Sequence, residues 1–71
     1  MQRNTRTRFG DRVKALRLEF GWTQEDLSEK AGVGRVFISQ IENGHKDVCL
    51  GVMEALAGSF KISISELTRG V

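Results

Sequence analysis

Proline is absent from this 71-residue chain, and cysteine, histidine and tryptophan each occur once. Without proline there is no proline-rich linker, and no repeat or low-complexity segment divides the chain. The lone Cys49 excludes an internal disulfide. Cys49 and the lone His45 stand four residues apart, too few donors for a four-ligand structural zinc site in one chain. No family signature surrounds Cys49 to make it a nucleophile. Gly32-Val33-Gly34 is too short for a phosphate loop and lacks a Gly-Lys-Ser/Thr sequel. No apolar run is long enough for a signal peptide or a membrane span. These absences argue against an enzyme, a cofactor, a metal or a membrane partner, and a reducing cytoplasm is the simplest location.

What is present fits one small globular domain, with 39% hydrophobic and 28% charged residues. A domain of this size buries only about 60% of the surface its unfolded chain exposes, so stability is modest and dimerisation is a natural supplement. Charge is unevenly placed. Residues 1–17 carry six Lys/Arg (Arg3, Arg6, Arg8, Arg12, Lys14 and Arg17) against Asp11, a net +5. The remaining 54 residues carry five basic and eight acidic side chains, a net −3. A basic arm over residues 1–8 that approaches a polyanion is one reading, and a solubilising tail is the other.

Hydrophobic spacing is helical nearly throughout. Phe9, Val13, Leu16 and Phe20 step by 4, 3 and 4, a first amphipathic helix that Gly21 ends. Thr23 is a good N-cap for a second helix, with Glu25 and Asp26 at its positive end, Leu27 and Ala31 inward, and Gly32 closing it. Gly34 starts a third helix with Ile38 and Ile41 inward, stopped by Asn43-Gly44. Leu50, Met53, Leu56, Ala57 and Phe60 mark a fourth. Ser63-Ile64-Ser65-Glu66 reads as the capping box of a short fifth, which also accounts for the alternation in KISIS at 61–65. The fold class is all-α: five short helices in one domain over residues 9–71.

Two short helices joined by a few residues containing glycine have the form of a helix-turn-helix. Here the sequence resembles the Cro and phage-repressor-like (XRE) regulators, through LRLEFGWTQEDLSEKAGVGRVFISQIENG and on through LGVMEALAGSFKISISEL. That pattern asks for small or apolar residues at Leu27, Ser28, Ala31, Val33, Ile38 and Ile41 and glycine at Gly32, with Ser28 standing where alanine is usual. Each has a physical reason. Ser28 lets two helices cross closely, Gly32 takes a left-handed conformation, and the apolar set fixes the interhelical angle.

With Ile38 and Ile41 inward, 100° per residue turns Val36, Ser39, Gln40 and Asn43 outward, with Arg35 on the flank. Such a mixture suits a major-groove floor, where Arg pairs with guanine, Gln with adenine, and an apolar group meets the thymine methyl. Arg35, Val36, Ser39 and Gln40 are therefore the candidate base contacts. The resemblance implies backbone contacts from Gln24 with Thr23 beside it, and from the loop residues Asn43, His45 and Lys46. It also implies that Arg17 and Glu42 form a largely buried ion pair with a structural role. Trp22 and Phe37 read as packing aromatics.

The resemblance further implies a homodimer on a two-fold symmetric operator, with half-sites about 34 Å apart. Its dimer surface lies around the last two helices, which points to Ile62, Ile64, Leu67 and Val71. RVFISQIENGHKDVCL followed by MEALA is also similar to the small controller proteins of restriction-modification systems. No sensor domain is visible, and repression by blocking RNA polymerase and activation by contacting it both stand open. Two rivals remain: an antitoxin-like protein-interaction module whose DNA binding is secondary, and an RNA-binding or coactivator role resting on the basic N-terminus.

Overall fold

The computed structural model describes residues 4–71. Five helices follow one another: α1 (Thr5–Glu19), α2 (Gln24–Ala31), α3 (Arg35–Glu42), α4 (Leu50–Phe60) and α5 (Ile64–Leu67). No strand forms among the described residues.

Helix α1 begins earlier than the apolar spacing predicts. The Asn4 side chain accepts from the Thr7 N–H, an N-cap that places Thr5 to Arg8 inside the helix. The expected arm over residues 1–8 is thus helical from Thr5, and residues 1–3 lie outside the described residues. At the other end Gly21 has φ +73°, while the Gly21 and Trp22 N–H groups return to the Leu18 and Arg17 carbonyls. This double closure ends the helix and turns the chain into α2.

Helix α2 carries a complete capping box. Thr23 Oγ1 accepts from the Asp26 N–H, and the Asp26 carboxylate accepts from the Thr23 N–H. At α5 only half of the expected box forms. Ser63 Oγ accepts from the Glu66 N–H, whereas the Glu66 carboxylate pairs with Arg12 and Arg69.

All five helices meet in one core. Phe9, Val13 and Leu16 of α1 pack with Leu27 of α2, Ile38 and Ile41 of α3, Leu56, Ala57 and Phe60 of α4, and Leu67 of α5. Phe20, expected inward, instead lies at the edge, its ring 4.6 Å from Trp22 and 5.3 Å from Phe60. Trp22 stacks on Phe60 at 5.5 Å, and Phe37 packs half-buried against the core, so both serve as packing aromatics.

Two close approaches set α1 against the third helix and the turn beyond it. A Cβ on Gly10 would stand 2.2 Å from the Ile41 carbonyl oxygen, so no other residue fits there without moving the backbone. Gly44, at φ +74°, presses against Thr7 in the same way.

Candidate nucleic-acid interface

The turn between α2 and α3 is built from small residues. Gly32 adopts φ +70° and returns its N–H to the Ser28 carbonyl, and the Ser28 hydroxyl donates to the Val33 carbonyl. Gly34 then opens α3 without a side-chain cap. With Ile38 and Ile41 fully buried, α3 is fixed in rotation as well as position. Its outer face holds Arg35 and Val36, both exposed, with Ser39 and Gln40 half-buried behind them. Val36 is 62% exposed, so its methyl groups are open to a partner on this face.

Past Glu42 the chain closes α3 with the same device that ends α1. The Gly44 and His45 N–H groups return to the Ile41 and Gln40 carbonyls. Asn43 is the C-cap, and His45 and Lys46 follow as exposed loop residues at the end of the outer face. On the α2 side, Thr23 is exposed and Gln24 half-buried. Thr23 Oγ1 accepts within the capping box and keeps its own hydroxyl hydrogen for an outside acceptor. The first backbone N–H groups of α2 have no partner inside the helix and can meet an anion.

Under this surface lies the expected ion pair. Arg17 Nε and Nη2 donate to Glu42 Oε2 and Oε1 at 2.7 and 3.0 Å, and Nη1 donates to the Trp22 carbonyl at 2.8 Å. The hydrogen bond to Glu42 holds the Arg17 guanidinium above its ordinary pKa despite burial. The sequence did not reveal that Gln24 joins this pair: its Nε2 donates to Glu42 Oε1 at 3.1 Å.

The N-terminal cations are largely committed within the fold. Arg6 donates to both Asp47 carboxylate oxygens, at 2.6 and 3.3 Å. This hydrogen bonding raises the Arg6 pKa and lowers that of Asp47. Arg12 Nη2 and Nε donate to the Glu66 and Leu67 carbonyls at 2.8 and 3.3 Å. A charge census along the chain cannot detect such pairs, because their partners are 41 and 54 or more residues away.

The four candidate dimer residues are not brought together on one open surface. Leu67 is wholly buried within the chain, so it completes the core of the single chain, because the short α5 needs an anchor and has no other buried apolar residue. Ile64 is exposed and Ile62 half-buried. Val71 lines, with Phe9, Val48 and Met53, a cleft of about 270 Å³.

The model of the helix-turn-helix family matches residues 13–67. The immunity repressor protein of Bacillus phage phi105 is 38% identical over 58 residues, which cover 82% of this chain and 40% of the repressor. The restriction-modification controller protein C.AhdI from Aeromonas hydrophila is 32% identical in structural alignment, with a TM-score of 0.84 over 87% of this chain and 94% of that one. The biofilm regulator SinR, in its structure in complex with DNA, is 30% identical, with a TM-score of 0.79 over 83% and 95% of the two chains. The chain spans 13 to 53% of the length of the longer curated relatives it matches. No helix among the described residues is long and apolar enough to cross a membrane. An apolar core that leaves one helix face outward at the end of a glycine turn, and a family model that covers most of the chain, lead to one conclusion: this chain belongs to the helix-turn-helix family of XRE-type DNA-binding transcription regulators.

Proposed function

We propose that the chain binds double-stranded DNA sequence-specifically as a homodimer, placing α3 of each copy in successive major grooves of a two-fold symmetric operator. One observation carries the reading. Arg35, Val36, Ser39 and Gln40 form a continuous outer face on a helix whose opposite side is locked by Ile38 and Ile41. Arg35 and Gln40 bring the donors and acceptors that distinguish guanine and adenine, and Val36 supplies a methyl surface for thymine. Thr23, Gln24, Asn43, His45 and Lys46 hold the backbone on either side and set the register.

Ile62, Ile64 and Val71 are the proposed partner-facing residues, with Leu67 supporting them from the core. The likeness in sequence and fold to C.AhdI favours a controller-type regulator, acting through its concentration and operator occupancy. The protein reads DNA and catalyses nothing, works in the cytoplasm at the nucleoid, and meets RNA polymerase only at the promoter it governs.

Selection of binding sites from random duplex DNA, with mass measurement of the complex, tests this. A two-fold symmetric site carrying two protein chains is expected. An asymmetric site bound by one chain would overturn the dimer, and the absence of any enriched sequence would overturn specific recognition.

A further inference from the structure

Glu42 is the last residue of α3 and Gln24 the first of α2. Arg17 alone already engages both Glu42 oxygens, so the ion pair is complete without a third donor. Gln24 nevertheless gives an Nε2 hydrogen to Oε1. The Glu42 side chain is only 3% exposed, which makes the site of this hydrogen bond the inner edge of the helix-turn-helix surface.

The chemistry fixes which way the amide points. A carboxylate only accepts, so Gln24 must turn Nε2, and not its carbonyl, toward Glu42. The amide nitrogen has two hydrogens, and with one held by Glu42 the other is aimed at a set angle beside the first turn of α2. A free glutamine must freeze three torsions, and choose between two amide orientations, before it can grip an anion. Here that ordering is done in the folded protein, and Arg17 in turn keeps Glu42 in place.

We infer that Glu42 is a positioning residue for DNA: through its hydrogen bond it presets the Gln24 amide to donate to a backbone phosphate, joining the buried ion pair to the nucleic-acid contact. The inference rests on the reading above that Gln24 meets a phosphate. It gives Glu42 a second role beside the structural one, and it ties the phosphate-gripping end of α2 to the last turn of the base-reading helix. A shift of one then changes the aim of the other.

A double-substitution cycle on the full chain with its selected operator tests the coupling. Gln24→Ala should weaken binding about tenfold, the value of one hydrogen bond to a charged group. In the Glu42→Gln background the same change should cost about twofold or less, because a neutral amide at 42 no longer dictates the orientation of its neighbour. Equal losses in both backgrounds would overturn the inference, since a purely structural Glu42 leaves the Gln24 contact additive.

Proton NMR supplies a second measurement. In the protein without DNA, one Gln24 Nε2 proton should be shifted from the position it has in a solvated glutamine side chain and exchange more slowly with water than other exposed glutamine amides, and Glu42→Gln should remove both signs. Gln24 amide protons with the shifts and exchange rates of a solvated glutamine would overturn the inference even where Glu42→Gln does not fold. A Gln24→Ala protein that binds as tightly as the parent would overturn it together with the phosphate contact. The recognition role of α3 would still be judged separately, by Arg35→Ala.

Discussion

Gly10→Ala places one methyl group where the structure has no room. The added Cβ would lie 2.2 Å from the Ile41 carbonyl oxygen and 3.0 Å from that of Glu42, both backbone atoms. Reaching an ordinary separation of 3.4 Å requires α1 to retreat from α3 by about 1.2 Å. That movement pulls on the Arg17–Glu42 hydrogen bonds, which bridge the same two helices. Overpacking of this kind costs about 3 kcal/mol, and exchanging helical Gly for Ala returns about 1 kcal/mol, so a net loss of about 2 kcal/mol is expected. Against a total of about 4 to 10 kcal/mol for 71 residues, this is a large fraction. It corresponds to a fall in Tm of about 8 to 16 °C. Gly58→Ala in α4 is the matched control, because a Cβ there meets nothing within 4 Å. It should stabilise by about 0.5 to 1 kcal/mol. Thermal unfolding followed by circular dichroism, at one protein concentration, compares the two. If Gly10→Ala melts at or above the parent temperature, the close crossing of α1 and α3 is refuted.

Arg35→Ala should lose about 1 to 3 kcal/mol on the selected operator while sparing random DNA, and equal loss on both would make it a phosphate contact. Lys46→Ala should weaken all duplexes alike and lower the salt slope of log K by about one unit, and an unchanged slope removes Lys46 from the interface. The Asp26 carboxyl lies below its ordinary value of 3.8, first because the Thr23 N–H donates to it. Its stabilisation of α2 is therefore complete above that ordinary value and disappears as pH falls through the lowered one. The gap in urea midpoint between the parent and Asp26→Asn should close between pH 7 and pH 2, and a gap that stays constant would show that the capping box does not depend on charge.

Helices α2 and α3 and their glycine turn were legible from spacing because each buries a continuous stripe: Leu27 for one, Ile38 and Ile41 for the other. The start of α1 was not, since its first turn faces solvent and has no apolar period; Asn4 carries the signal instead. The capping box of α2 escaped because Asp26 fills a place where Glu or Gln is the usual mark. Leu67 illustrates a different limit. In a four-residue helix, apolar letters cannot say whether they meet their own core or another chain. The partners of the N-terminal cations are hidden for a third reason. Arg6 and Arg12 count as loose positive charge along the chain, yet each reaches a carbonyl or carboxylate brought near only by the fold. The hydrogen bond from Gln24 to Glu42 likewise has no local signature, because it spans 18 residues and two helices.

The N-terminal arginines have a consequence for the way the protein finds its target. With net charge +2, with Arg12 and Arg17 held against α5 and Glu42, and with Arg6 paired to Asp47 at the surface, the domain projects little surplus positive potential. Long-range steering toward a polyanion is correspondingly weak, and so is the pull of arbitrary sequence. On the reading proposed above, occupancy of an operator would then follow the number of copies in the cell more directly than it would for a strongly basic domain of the same size.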